Sequence, residues 1–392
     1  MKKLISRLRM FKSFKEETGF ALALVLLITT LVMVTVLEFN REMRVDVEIA
    51  TNYRDSLKAL YVAKGGINAA IFLLRKDIYD DSFNKGRTHF ADSLSEDWAK
   101  AEFQWQEGEG KVTGIITDEC GKVNLNEFIK EIPELDKNAT AAEKQQEEQQ
   151  EEQEKIVRRI LEKLDIPDTN TDDIIGSLRD WMGISIDSEI TDNYYNSLPS
   201  PYDNKASEYF DDITEMLLLK GIKKDLFYFY DYKTKEKSIS EKEKIDNSED
   251  KSSEGKNYRE PHDLTDLFTV YSAPSKNKGK ININTAPKEV LRALFPDEIS
   301  DDIIDEIIKH QNEEEPFQSI DDLKELSTEL KDTLNKEIWL VNSITFQSSY
   351  FRIIAHGTVN DVTRTIEAVV LRLPRQPDNN GGQITIKSWA EY

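Results

Sequence analysis

The first apolar pattern along the chain has no period. Phe20 through Leu37 form 18 consecutive uncharged, nearly all apolar residues. As a helix they extend about 27 Å, close to the thickness of a bilayer's hydrocarbon core. Past Glu38 the apolar positions become periodic. Ala59, Leu60, Ala63, Ile67, Ala70, Ile71 and Leu74 recur at spacings of three and four, and no proline interrupts them. That spacing marks one helical stripe. Gly65-Gly66 falls inside it, at about 1 kcal/mol per glycine relative to alanine. Together the two patterns predict one long helix over residues 20–75, with 20–37 in the membrane and the rest packed against a head.

The head alternates between strand-like and helical patterns. From about Thr88 to Asn126 apolar and polar positions alternate, as in Ala101-Glu102-Phe103-Gln104-Trp105 and Lys111-Val112-Thr113-Gly114-Ile115, which predicts antiparallel strands. Residues 139–155 are a Gln/Glu tract without an apolar face, expected as a solvated helix or a disordered insert. Helical patterning then runs from Ile156 to about Trp181. A second charged tract, 233–258, reads as a linker. Residues 281–330 hold two or three short helices, the first with Thr285 as its N-cap and Pro287 in its first turn. Tyr350–Ala355 and Thr365–Leu371 alternate again, and a turn near Val359-Asn360-Asp361 makes them a hairpin. The remainder, 376–392, with Asp378-Asn379-Asn380-Gly381-Gly382, is expected to be a tail.

Charge sets the orientation. Lys2, Lys3, Arg7, Arg9, Lys12 and Lys15 precede the apolar run, which keeps the N-terminus in the cytoplasm and sends the head outward. A cleaved secretory signal would end in a small-x-small site, whereas this run ends Thr35-Val36-Leu37-Glu38-Phe39-Asn40. The expectation is a single-pass inner-membrane protein with a periplasmic head. The formal net charge is −22, so the head repels phosphate backbones and favours basic partners or divalent cations. One cysteine, Cys120, excludes an internal disulfide and reads as a small buried apolar residue.

Candidate chemistry is sparse. The four histidines form no HExxH, and neither GxSxG nor a glycine-rich phosphate loop is present. Acid pairs such as Asp118-Glu119 and Asp211-Asp212 are expected by chance among 74 acidic residues. No enzyme is indicated. Asp180, Asp187, Glu189 and Asp192 lie within thirteen positions of a turn-rich stretch, and such density of hard oxygen ligands suits Ca²⁺.

The junction Thr18-Gly19-Phe20 at the cytoplasmic edge of the apolar run resembles the type III signal of type IV pilins and pseudopilins. That resemblance implies cleavage by a prepilin peptidase between Gly19 and Phe20 and N-methylation of Phe20. The fifth mature position, a glutamate in most such subunits, is Leu24 here. Further landmarks follow in order: Tyr61-Val62-Ala63-Lys64-Gly65-Gly66-Ile67, Asp118-Glu119-Cys120-Gly121-Lys122-Val123-Asn124-Leu125-Asn126, Leu178-Arg179-Asp180-Trp181, Tyr194-Tyr195, Pro201-Tyr202, Ile281-Asn282-Ile283-Asn284-Thr285-Ala286-Pro287 and Tyr350-Phe351-Arg352. The ordered set resembles the minor pseudopilin K family of the bacterial type II secretion system.

The resemblance implies an α+β pseudopilin fold: a long N-terminal helix on an antiparallel sheet (76–126 and 341–375), with a large, mostly helical domain inserted at 127–340. The leader is 1–19. It implies a structural subunit at the tip of the pseudopilus, whose partners are other minor pseudopilins, the prepilin peptidase and the inner-membrane secretion platform. A fifth-position glutamate is thought to pair with a neighbour's N-terminal amine, and a tip subunit has no neighbour above it. Leu24 therefore suits the tip, because an unpaired carboxylate in lipid is costly. The family is associated with calcium near Asp180, although here Gly183, Ser185 and Thr191 stand where acids are usual.

Residues 282–323 also resemble helix-hairpin-helix DNA-binding modules. Their hairpin here, Phe295-Pro296-Asp297-Glu298-Ile299, lacks glycine and adds carboxylates, and Lys288–Glu325 holds 13 acidic and 4 basic residues. Nucleic acid is not expected as a partner. A DNA-uptake or adhesion pilin and an anchored hydrolase are the competing classes.

Overall fold

Helix α1 (Lys2–Phe83) runs unbroken for 82 residues, roughly 120 Å. The computed structural model describes residues 2–83, 91–100, 103–132, 140–164, 170–184, 193–202, 209–228, 263–274, 277–311, 316–373 and 383–392. The helix extends past the expected end at residue 75. Its first proline-free stretch is long because no proline precedes Pro133.

The stripe lies where its periodicity placed it. Ala59, Ala63, Ile67, Ala70 and Leu74 are buried against a five-stranded sheet. That sheet has the order β1 (Phe103–Glu107), β2 (Gly110–Asp118), β7 (Tyr350–Val359), β8 (Val362–Arg372) and β9 (Ile384–Glu391), all antiparallel. Alanines bring the helix close to the strands, and two glycines bring it closer. A Cβ on Gly357 would lie 2.1 Å from the Ala59 carbonyl oxygen, and one on Gly66 would lie 2.8 Å from Val112. Gly66 is therefore a point of contact rather than a break in the stripe.

Between β2 and β7 the chain leaves the sheet for a second body. It contains α2 (Leu125–Phe128), α3 (Ala141–Lys163), α4 (Thr171–Trp181), α5 (Lys224–Phe227), α6 (Lys288–Leu294), α7 (Asp301–Gln311), α8 (Ile320–Glu325), α9 (Thr328–Lys336) and α10 (Ile338–Asn342). Two short parallel pairs stitch it together: β3 (Val123–Asn124) with β4 (Phe268–Thr269), and β5 (Ile281–Asn282) with β6 (Ile344–Thr345). Its apolar core, from Val123 to Ile344, is separate from the core under α1. The inserted helical domain is thus present, and it begins just after Asp118 rather than at residue 127, because Val123 and Leu125 belong to its core.

Of the two alternatives for the Gln/Glu tract the structure shows the helix, and two other expectations change. The Gln/Glu tract is helical: Thr140 and Glu143 form a capping box, and Ile156, Val157, Ile160 and Leu161 anchor the same helix. Thr285 is not an N-cap; Pro287 occupies that position of α6, and the Thr285 hydroxyl serves Asp118 instead. Residues 384–391, expected within a tail, form β9 and bond the open edge of β8. Ile384 and Ile386 supply strand-compatible alternation, and the exchange between Thr365 and Tyr392 satisfies backbone groups that an edge leaves open. The tract 233–258 and Asp378–Gly382 lie outside the described residues.

Candidate functional site

The apolar stretch of α1, long and apolar enough to cross a membrane, holds Phe20 and Leu24, where processing and the tip position were expected. An 18-residue window there has a mean hydropathy of 2.8 and no share buried by the rest of the chain. Phe20 is 73% exposed and Leu24 48% exposed. The hydroxyls of Thr29, Thr30 and Thr35 donate to the carbonyls of Val25, Leu26 and Leu31 at 2.9–3.0 Å, so the span's polar side chains are satisfied within the helix.

A buried polar knot joins the sheet to the inserted domain, built by two of the sequence landmarks. Asp118, the last residue of β2, accepts from the Thr285 hydroxyl at 2.5 Å, from the Cys120 N–H at 2.8 Å and from the Ser348 hydroxyl. Burial pushes its carboxyl up to about 6. The side-chain amide of Asn282 donates to the Asp92 carbonyl at 3.0 Å and to Ser348 Oγ at 2.8 Å. Asn284 exchanges both its amide groups with the backbone of Phe317, at 2.8 and 3.1 Å. Gly121 admits this approach: a Cβ there would meet Thr285 at 2.7 Å. Glu119 beside it is fully buried. Burial opposes its charge, but Arg352 and Lys122 hold its pKa down at about 2. Burial also pushes the Cys120 thiol up, which makes it an inert core residue.

A second knot ties α1 to the sheet. Arg372, at the end of β8, bonds Asp77 at 2.7 Å and also pairs with Asp92. Asp92 in turn accepts from the Ser348 N–H at 2.6 Å. Asp77, Asp92 and Glu96 place carboxylate oxygens within 4.8 Å of one another. Glu96 accepts from Trp98 Nε1 at 2.6 Å, and burial followed by the charges of Asp92 and Asp77 pushes it up to about 9. Sequence reasoning missed this knot.

Of the four expected calcium ligands, Asp180 is described; Asp187, Glu189 and Asp192 lie outside the described residues. Asp180 lies in the last turn of α4 and is 1% exposed, yet among the described residues neither carboxylate oxygen has a hydrogen-bond partner. Neighbouring landmarks do converge here. Trp181 stacks on Phe210 with centroids 5.5 Å apart, Tyr195 packs between Tyr194 and Tyr202 at 5.1 Å, and the Tyr195 hydroxyl accepts from the Lys220 N–H at 2.8 Å. The helix-hairpin-helix region is a packed pair. Phe295 and Ile299 are buried, while Asp301, Asp302, Asp305 and Glu306 on α7 face outward. That face repels a phosphate backbone.

A long apolar helix that becomes the spine of an antiparallel sheet, with a helical domain inserted between strands, defines a pseudopilin-type α+β subunit. Family models described as "Type II secretion system (T2SS), protein K" match residues 121–228 and 281–336. Over those two stretches the chain is similar to the type II secretion system protein K family. It is 23% identical over 364 residues to the type II secretion system protein K of Pseudomonas aeruginosa, covering 91% of this chain and 90% of that one. Its fold is similar to that in the crystal structure of the GspK-GspI-GspJ complex from the type 2 secretion system of enterotoxigenic Escherichia coli. The TM-score there is 0.53 at 16% identity, covering 90% of this chain and 99% of that one.

Proposed function

We propose that this minor pseudopilin caps the tip of the type II secretion pseudopilus, anchored in the inner membrane with its head in the periplasm. There it supports export of folded proteins across the outer membrane, as a structural subunit rather than an enzyme. The carrying observation is the apolar, carboxylate-free start of the span: Leu24 stands half exposed on a lipid-facing helix where a shaft subunit needs an acid. Prepilin peptidase acts between Gly19 and Phe20 and methylates Phe20. Other minor pseudopilins, of the kinds named GspI and GspJ in the similar complex, are its partners, and the inner-membrane platform receives the assembly. The test is Leu24→Glu. At wild-type protein levels it leaves incorporation unimproved and confined to the tip; entry of the variant along the shaft would contradict the tip reading.

A second reading concerns Ca²⁺. A carboxylate that is buried with both oxygens unpartnered is costly unless a cation completes it. Asp180 fits that role, with Asp187, Glu189 and Asp192 following in the chain as further hard donors. When bound, the ion neutralises the like charges of that stretch.

A further inference from the structure

We propose that residues 91–100 are a strap over the end of the helix–sheet core, latched by one proton held among buried carboxylates and released as that proton leaves. The strap touches every part of the head. The Asp92 N–H donates to the Phe346 carbonyl at 2.9 Å, and the Asp92 carbonyl accepts from the Asn282 amide of the inserted domain at 3.0 Å. Trp98 is buried edge-on against Phe351 of β7, with centroids 4.9 Å apart. Arg372 of β8 lies over the same Phe351 ring at 4.4 Å and bonds Asp77 of α1. Within the strap, the N–H groups of Ala99 and Lys100 donate to the Glu96 carbonyl at 3.0 and 3.1 Å. Glu96 is thus the hub of the strap's own turn.

The latch is an imbalance of charge. Asp77, Asp92 and Glu96 bring carboxylate oxygens within 4.8 Å of one another, and Arg372 is the cation set among them. Its guanidinium bonds Asp77 and Asp92 directly. Glu96 accepts from neutral donors instead, Trp98 Nε1 at 2.6 Å and the Ser93 N–H at 3.4 Å. Three carboxylates so close together, largely out of water, cannot all ionise against one arginine. The proton therefore sits on Glu96, which Arg372 does not bond. The nearby lysines do not correct the balance: Lys76 and Lys100 each bond the exposed Asp97 at 3.3 Å. Asp118 faces Asp92 from the end of β2 and adds further negative charge when ionised. Burial, then Asp92 and Asp77, push Glu96 up to about 9 from an ordinary 4.5. In a released strap Glu96 stands in water and titrates near its ordinary value. Release is therefore favoured increasingly as pH rises between those two values, and levels off above the higher one. Trp98 leaves the core with the strap.

Amide hydrogen exchange of the full-length chain in detergent tests the strap, followed from pH 6.5 to 8.5 and corrected for the intrinsic rise of exchange with pH. That range lies above the value of about 6 for Asp118, so its titration does not intrude. Peptides covering 91–100 are compared with peptides covering β7. In the unsubstituted chain the strap should open more often than β7 at every pH, and its opening should grow by up to about tenfold per pH unit. Glu96→Gln keeps an acceptor for Trp98 and has no proton to lose, so its strap should open equally often across the range. A strap that opens only together with β7, or whose opening does not change with pH in the unsubstituted chain, would overturn the latch. So would a pH slope that persists in Glu96→Gln. The first two readouts need no variant, so the test stands even where Glu96→Gln does not fold.

Discussion

The side-chain amide of Asn360 donates to Asp55 Oδ2 at 2.8 Å, joining the β7–β8 turn to a helix residue 305 positions earlier. Among the described residues Asn360 is the one non-glycine with positive φ, at 54°. Asparagine tolerates that conformation and here also spends its side chain on a carboxylate that is 3% exposed. Asn360→Gly keeps the turn and loses the bond, so it should cost about 1 kcal/mol. Asn360→Ala adds conformational strain and should cost about 1–2 kcal/mol more. Chemical denaturation of the three proteins checks the order; equal stability of the two variants would remove the strain argument.

Gly357→Ala tests how closely α1 lies on the sheet. The new methyl would sit 2.1 Å from one backbone atom of α1 and 2.5 Å from another, and backbone cannot step aside as a side-chain tip can. A loss of about 1–3 kcal/mol or more is expected. Gly65→Ala, one helical position from Gly66 and with nothing within 4 Å, should instead be neutral or slightly stabilising. Thermal melts of the pair suffice, and equal midpoints would contradict the close approach.

The Arg372 knot predicts a pH dependence. The ordinary value for Glu96 is 4.5 and its folded value about 9, so the folded chain retains a proton that the unfolded chain releases between them. Stability must then fall as pH rises through that window. Asp118 contributes with the same sign, but its window closes near pH 6. Between pH 7 and 9 the fall therefore belongs largely to Glu96, and Glu96→Gln should flatten it. Parallel Tm–pH curves for the two proteins would refute the assignment. Arg372→Met should cost about 3–5 kcal/mol, because it removes the buried cation that pairs with both Asp77 and Asp92.

What was legible followed from periodicity. The stripe from Ala59 to Leu74, the hairpin around Asn360 and the helical character of the insertion all announce themselves within a few residues. Arg372 does not: its partners lie 280 and 295 positions earlier, and no local pattern marks it. Asp118 and Thr285 stood in recognisable motifs, but their meeting depends on two chain reversals that the motifs do not encode. β9 was hidden by the glycine- and asparagine-rich segment before it, and because half its positions stay exposed its alternation carries little hydrophobic contrast. The calcium cluster was read from carboxylate density and the family resemblance; the oxygens of Asp180, without a hydrogen-bond partner among the described residues, are a separate, structural sign.

Calcium should raise the melting midpoint of the full-length chain in detergent, relative to chelator. At a hundredfold excess over Kd the gain is about 2.7 kcal/mol. Asp180→Asn should abolish the increment. An unchanged midpoint with and without calcium would leave Asp180 as a buried carboxyl without a cation.

The most direct test of the central claim is the N-terminus of the chain recovered from membranes. A minor pseudopilin processed between Gly19 and Phe20 starts at Phe20, carries an N-methyl group there, and retains the apolar span that follows. Sequencing and intact mass should give that species. A mature protein that begins at Met1, or beyond Leu37 with the span removed, would contradict it.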